Sequence, residues 1–278
     1  MREELAGRRF LVTGGSMGVG LEVSRKLAER GARVVMVGRG AAALEGALGQ
    51  LSGSGHERLT LDVSDASAWP AAMAAVDVGG ALDGVVTAAG VLGPIGSLDT
   101  VPPGEFAATI AINLVGTALA LQQALPRLAA SAGRAVTFSG GGGTGPLARF
   151  DAYAASKAGV VRLTENVAAD GAIELNCVAP GFVATRMHEG TLAAGPTAVG
   201  SAYFARTREQ LETGGFPASE AAELVAFLLG PSAAGISGRL ISAQWDPWRE
   251  PEFRDRLRRD PDLAKLRRID EQFYIRAP

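Results

Sequence analysis

The sequence predicts an α/β fold, a doubly wound parallel sheet of seven strands with helices on both faces. Short β-branched runs alternate with longer stretches of helical periodicity through most of the chain. Several of these runs are apolar almost throughout, the pattern of parallel strands covered on both faces. With 278 residues, 47% of them hydrophobic, the chain can bury one sizeable core. No Pro/Gly/Ser linker or internal repeat divides the series, so residues 1–248 read as one domain and 249–278 as a C-terminal tail extension.

The first strand is Arg9–Thr13. In the helix after it, Val19, Val23 and Leu27 recur every four residues, and Gly31 ends the pattern. Arg33–Val37, Arg58–Leu61 and Leu82–Thr87 read as the next three strands. A helical stretch over 104–130 leads to Arg134–Ser139, and a second over 151–170 leads to Ile173–Val178 through a tight connection at Ala168–Ala172. A helix over 218–229 and the strand Gly238–Ser242 complete the series, whose repeated strand–helix–strand order implies right-handed crossovers. Two segments break the alternation. One is the polar, glycine-containing insertion 186–217. The other is the tail, introduced by Trp245 and Trp248, both expected to be buried for their large apolar area. In the tail, Phe253, Leu257, Leu263, Leu266 and Ile269 are spaced for short amphipathic helices. Its arginines are interleaved with acids, which predicts salt-bridged packing, on a neighbouring subunit or beside the pocket.

A formal charge of −2 gives no global positive field for a nucleic acid. Cys177 is the only cysteine, which excludes an intramolecular disulfide and a cysteine metal cluster. His56 and His188 lie far apart with no ligand spacing, so no metal is expected. The N-terminus runs into a strand with no apolar leader, and no apolar run approaches the roughly 18–20 residues that span a membrane. The expectation is a cytoplasmic protein with neither membrane nor nucleic-acid partner.

Thr13-Gly14-Gly15-Ser16-Met17-Gly18-Val19-Gly20 joins the first strand to the first helix. Glycines there let the backbone turn sharply and approach a pyrophosphate, and the helix N-terminus offers free N–H groups to that anion. Strand, turn and helix together read as a Rossmann-like dinucleotide site. An acidic residue closing the second strand would bond the ribose of NAD and repel a 2′-phosphate; here that position is Gly38. Arg39 follows, and its planar guanidinium suits a phosphate. NADP(H) is therefore the preferred coenzyme, with NAD(H) left open.

The TGxxxGxG spacing, with the motifs that follow in order, resembles the short-chain dehydrogenase/reductase family over about residues 8–243. Asp62-Val63 matches the family's adenine-contacting position. Thr87-Ala88-Ala89-Gly90 stands where the family usually has Asn-Asn-Ala-Gly. Asn113 matches a helix asparagine that positions a proton-relay water, and Tyr153-Ala-Ala-Ser-Lys157 matches YxxxK. Pro180-Gly181-Phe182-Val183-Ala184-Thr185 matches the segment that holds the nicotinamide amide. The resemblance implies hydride transfer between a nicotinamide and an alcohol or ketone, with Tyr153 exchanging the proton. Lys157 would hold the nicotinamide ribose and, together with the oxidised nicotinamide and fixed dipoles, lower the phenol pKa; a drop from near 10 to about 7 takes roughly 4 kcal/mol. Homodimers or homotetramers, packed through the two long helices, are also implied.

The family's substrate-binding serine falls on Gly140 here. Ser139 is one residue early and on a regular strand faces the other way, unless the Gly140–Gly143 run bulges and redirects it. Thr144, or a water on the Gly140–Gly143 amides, would be the other replacements. Tyr153, Lys157, Asn113 and Ser139 are the candidate catalytic residues; Gly140, Gly141, Thr144, His188 and Tyr203 are candidates for the substrate. By resemblance 186–217 is a substrate lid, and its Arg186, His188, Tyr203, Arg206, Arg208 and Glu209 point to a polar substrate such as a sugar or cyclitol. Two other outcomes stay open: epimerisation with no net redox, and dinucleotide binding without turnover.

Overall fold

The computed structural model describes residues 4–267. Within them the strands are β1 (Arg9–Thr13), β2 (Arg33–Gly38), β3 (Glu57–Thr60), β4 (Gly84–Thr87), β5 (Arg134–Phe138), β6 (Glu174–Ala179) and β7 (Leu240–Ser242). They form one parallel sheet in the order β3-β2-β1-β4-β5-β6-β7. The order reverses between β1 and β4, which opens a crevice at the carboxyl ends of those strands. The helices are α1 (Gly18–Glu29), α2 (Ala41–Leu48), α3 (Trp69–Val78), α4 (Pro103–Ile110), α5 (Gly116–Ser131), α6 (Asp151–Ala169), α7 (Arg186–Val199), α8 (Ser201–Glu212), α9 (Ala218–Leu229) and α10 (Pro251–Arg259).

Strand alternation divides the core between the two faces. Val12, Val34, Met36, Val86, Val136 and Val178 pack with residues of α1 and α9 on one side. Leu11, Val35, Val37, Val85, Ala135 and Leu175 pack with residues of α3 and α5 on the other. Both faces are closed, which is why the strands read as nearly continuous apolar runs.

One charged residue is built into this core. Arg9, fully buried, donates from Nε and Nη2 to the two oxygens of Glu57 (3.0 and 2.8 Å) and from Nη1 to the Val76 and Gly80 carbonyls (2.7 and 3.0 Å). It thereby ties β1 to β3 and to the end of α3.

The helical stretch expected over 104–130 is interrupted. Between α4 and α5 lies a π-helical turn, Ala111–Val115. The combined helix Pro103–Ser131 is long and apolar enough, by length and composition, to cross a membrane. The sequence reading missed this because Glu105, Asn113, Thr117 and Gln122 break any continuous apolar run. Here the helix packs against α6 and the sheet face.

The described part of the tail docks on its own chain. Leu257 of α10 is fully buried with the α9 residues, and Leu240 N–H of β7 donates to Ala264 O (2.7 Å). Arg239 Nη1 donates to Pro261 O (3.1 Å) and Leu263 O (2.8 Å), while Arg162 and Glu165 of α6 bond the Leu266 backbone. Tail arginines add to these contacts: Arg258 donates to Ala234 O (2.9 Å) and Ser232 O (3.0 Å). Ile269 lies outside the described residues. Trp248 is buried against Phe227, but Trp245 is 75% exposed, because the turn bonded to Ser242 Oγ faces it outward.

Arg9→Ala is expected to cost about 3 kcal/mol of stability, since it empties the site and leaves two carbonyls unpaired. Chemical denaturation would show it as a lower midpoint, with Glu57→Gln, partly exposed, giving a smaller loss.

Candidate functional site

Backbone segments meet closely at the crevice. Gly14 sits at φ +67, and a β-carbon there would lie 2.8 Å from the Ala89 Cα and N, so only glycine fits. Ala89 N–H donates to Thr13 Oγ1 (3.2 Å), and Gly20 packs against Gly14 O. The cradle before α1 is thus shaped by absent side chains, as close approach of a pyrophosphate to its N-terminus requires. Gly18 faces the Thr185 methyl, 3.4 Å from its would-be β-carbon, so the segment after β6 returns to the same turn. Thr87 Oγ1, at the end of β4, is buried with no hydrogen-bond partner.

At the end of β2, Ser16 Oγ lies beside Gly38. Arg39 is 67% exposed, its only ion pair among the described residues a 4.0 Å contact with Asp62, which leaves its guanidinium available to an anion. Asp62 accepts from Ser64 N and Oγ (2.9 and 2.6 Å), which holds its carboxyl below the usual range. The Val63 side chain is buried against Gly116, and Met17 is half exposed beside the glycine turn.

Asn113 stands on the π-helical turn with no exposure. Its Nδ2 donates to Val91 O and Ser156 Oγ (both 2.9 Å), and its Oδ1 accepts from Val91 N–H (2.8 Å). Both amide hydrogens are therefore spent inside the protein. Ser156, in the middle of the Tyr-Ala-Ala-Ser-Lys run, is a partner the motif itself contained and the sequence reading passed over. Gly90 lies where Asn113 and Lys157 converge: its would-be β-carbon is 3.3 Å from Asn113 Oδ1 and 3.6 Å from Lys157 Nζ.

Tyr153 and Lys157 share one face of α6, as their spacing demands. Lys157 Nζ donates to Phe138 O (3.0 Å) and lies 5.8 Å from the centre of the Tyr153 ring. Burial brings Lys157 down to about 8 and pushes Tyr153 up to about 12, with Tyr203 adding to the latter. Among the protein's own groups the lysine does not offset burial; the lowering expected from the sequence also drew on the oxidised nicotinamide and fixed dipoles. The ammonium is committed to a backbone carbonyl, and desolvation dominates. Tyr153 holds its proton throughout the neutral range.

Gly140 points at Tyr153. A β-carbon there would collide with the Tyr153 hydroxyl and sit 3.0 Å from Cζ, so the phenol occupies the space a serine would need. Ser139 is buried with its Oγ turned onto Gly143, and the N–H of Gly143 bonds Gly140 O (3.0 Å). Thr144 and Gly141 are exposed. Neither Ser139 nor Thr144 makes a hydrogen bond to Tyr153.

The lid is two helices, α7 and α8. Gly181 (φ +82) packs on Phe216 and Gln244 just after Pro180, and Val183 bridges antiparallel to Gly215. Below the lid, Tyr153 is packed among Phe150, Val199, Leu92, Ile95, Leu147, Met187, Tyr203 and Phe204, with the Phe150 and Tyr203 rings 5.0 Å apart. His188 stacks on Phe182 at 3.9 Å. Arg206, Arg208 and Glu209 are exposed, so these charges of the lid face water, while Met187, Val199, Tyr203 and Phe204 face Tyr153. Among the described residues no group of three or more His, Cys, Asp or Glu is placed to hold a metal ion.

Residues 8–194 match the family model for short chain dehydrogenases. The chain is 35% identical over 250 residues to cis-4-hydroxycyclohexanecarboxylate dehydrogenase of Sinomonas cyclohexanicum, covering 87% of this chain and 97% of that protein. It is 33% identical over 190 residues to galactitol 2-dehydrogenase (L-tagatose-forming) of Cereibacter sphaeroides, covering 66% and 74%. Among solved structures it resembles a tryptophan variant of actinorhodin polyketide ketoreductase with NADPH, at TM-score 0.76, 29% identity, and 85% and 95% coverage.

Gly140→Ser is expected to push the Tyr153 ring outward and bring its phenol back toward the ordinary value near 10. With only three tyrosines in the chain, ultraviolet difference titration reads this directly; an unchanged profile would mean that serine fits beside the phenol.

Proposed function

The chain belongs to the short-chain dehydrogenase family and is an oxidoreductase of hydroxylated substrates; from this we propose that it uses NADP(H) and acts on a hydroxylated ring, with Tyr153 as the proton donor. One observation carries the reading: Tyr153, Lys157, Asn113 and Gly90 converge at the ends of β4 and β5, beside a glycine cradle that side chains would fill.

In this reading Gly14, Ser16, Met17, Gly18 and Gly20 hold the pyrophosphate. Ser16 and Arg39 flank the 2′-phosphate, and Asp62 and Val63 border the adenine. Ala89, Gly90 and Lys157 meet the ribose, while Pro180, Gly181, Val183 and Thr185 hold the carboxamide. The bound nicotinamide supplies or accepts the hydride. Tyr153, protonated at neutral pH, gives its proton to the substrate oxygen when a carbonyl is reduced. Lys157, buried against the ring, stabilises the phenolate that forms. Asn113 fixes the loop after β4 against α6. Gly140 leaves the phenol room to reach the substrate in the place of a serine, with no second side-chain hydroxyl beside it.

The apolar wall around Tyr153 favours a ring, whose carbon faces pack on Phe150 and Tyr203, over an open-chain polyol. Sinomonas cis-4-hydroxycyclohexanecarboxylate dehydrogenase is named for such a ring. A homodimer or homotetramer through α5 and α6 fits the half-exposed Val115 and the mostly unburied apolar helix.

Fluorescence titration is expected to show NADPH binding more tightly than NADH, with Arg39→Ala weakening NADPH about 10- to 100-fold and leaving NADH unchanged. Equal affinities would overturn the coenzyme assignment. With a panel of cyclic ketones, Tyr153→Phe should lower turnover by about 10²–10⁴-fold while coenzyme still binds; an unaffected rate would remove Tyr153 from the chemistry.

A further inference from the structure

Two polar atoms beneath the lid have no partner. Thr191 is fully buried and its Oγ1 makes no hydrogen bond; His188 Nδ1, also buried, makes none either. The two residues are three apart on α7, so they sit on adjoining positions of one helix surface. Thr191 lies one turn beyond Met187, which packs in the cluster around Tyr153. The face of α7 that carries Thr191 is thus the face the lid turns toward the phenol. Phe182 stacks on the imidazole at an interplanar angle of 23°, which holds the ring plane.

Buried polar groups in folded proteins are nearly always hydrogen-bonded, and two unmatched ones a turn apart need a partner that the protein does not provide. We propose that Thr191 and His188 form a second polar subsite under the lid, which takes a second hydroxyl of a ring substrate whose first oxygen faces Tyr153. The threonine hydroxyl both donates and accepts, and a neutral imidazole does one or the other at Nδ1, so the pair matches a hydroxyl in either sense. Burial holds the His188 pKa below its ordinary value, which keeps the ring neutral. The substrate class becomes a cyclic diol or hydroxyketone. Rings without the second oxygen lose the contact and leave both polar atoms unpaired, the arrangement from which hydroxyl selectivity is strongest. The inference rests on Tyr153 marking the reacting end of the site.

Binding to the protein with NADPH tests this without turnover, because reduced coenzyme cannot take hydride from an alcohol. Cyclohexanol and the cyclohexane-1,2-, 1,3- and 1,4-diols are titrated calorimetrically. At least one diol is expected to bind about tenfold more tightly than cyclohexanol. Thr191→Val should erase that preference, with cyclohexanol bound as before and thermal stability equal or higher, since it removes an unpaired hydroxyl. Thr191→Ser should restore it. His188→Phe, which keeps an aromatic ring on Phe182, should reduce it. A diol preference that survives in both Thr191→Val and His188→Phe overturns the proposal. So does a wild-type protein that binds no diol more tightly than cyclohexanol. A failure of ketone reduction with diol binding intact would instead count against the assigned reaction.

Discussion

The arrangement of the site depends on how the Asn113 side chain is satisfied. A fully buried primary amide must find partners for both its hydrogens and its oxygen, and here all of them come from two other segments. Val91 brings the loop after β4, and Ser156 brings the helix that carries Tyr153 and Lys157. Residue 113 stands on the π-helical turn at Ala111–Val115, a local insertion that re-aims side chains relative to a regular α-helix. Gly90, Lys157 and the end of β5 lie within contact of one another on the same side of this amide. Ser156 passes the constraint on, since its hydroxyl donates to Tyr153 O (2.7 Å).

Desolvation is the second organising effect, and it comes from the lid as much as from the sheet. The residues that surround the phenol include Met187, Val199, Tyr203 and Phe204 from α7 and α8. They keep its proton on, and they keep the lysine close to losing its own. Tyrosine and lysine are pushed in opposite directions by the same burial, because burial disfavours whichever form is charged. A ligand that lifted the lid and admitted water would relax both shifts together.

Much of the scaffold was legible in the residues. Alternating apolar runs located β1, β5 and β6 to within a residue, and the four-residue recurrence of Val19, Val23 and Leu27 located α1. The glycine turn was legible because it depends on missing β-carbons, which a sequence displays outright. Properties that depend on which side of an element meets what were not legible. The lid reads as polar because charge is counted per segment, whereas Arg206 and Arg208 face water and Met187 and Phe204 face Tyr153. Spacing put Lys157 beside Tyr153 but could not reveal that its ammonium would be taken by Phe138 O. Trp245 and Trp248 have the same composition and opposite fates, decided by a turn no periodicity marks. Thr191 belongs to no motif, and only its burial without a partner sets it apart.

The contact between Leu240 and Ala264 has a consequence for the order in which the molecule is assembled. β7 is the last strand of the sheet, and its outer hydrogen-bonding edge is covered by the tail rather than by another strand. An uncovered strand edge is a template for pairing with a second chain. Synthesis proceeds from the N-terminus, so the strand leaves the ribosome before its cover does. For that interval the nascent protein carries a nearly complete sheet with its β7 border open. The segment around Ala264 is what closes this border of the sheet to a second copy of the chain.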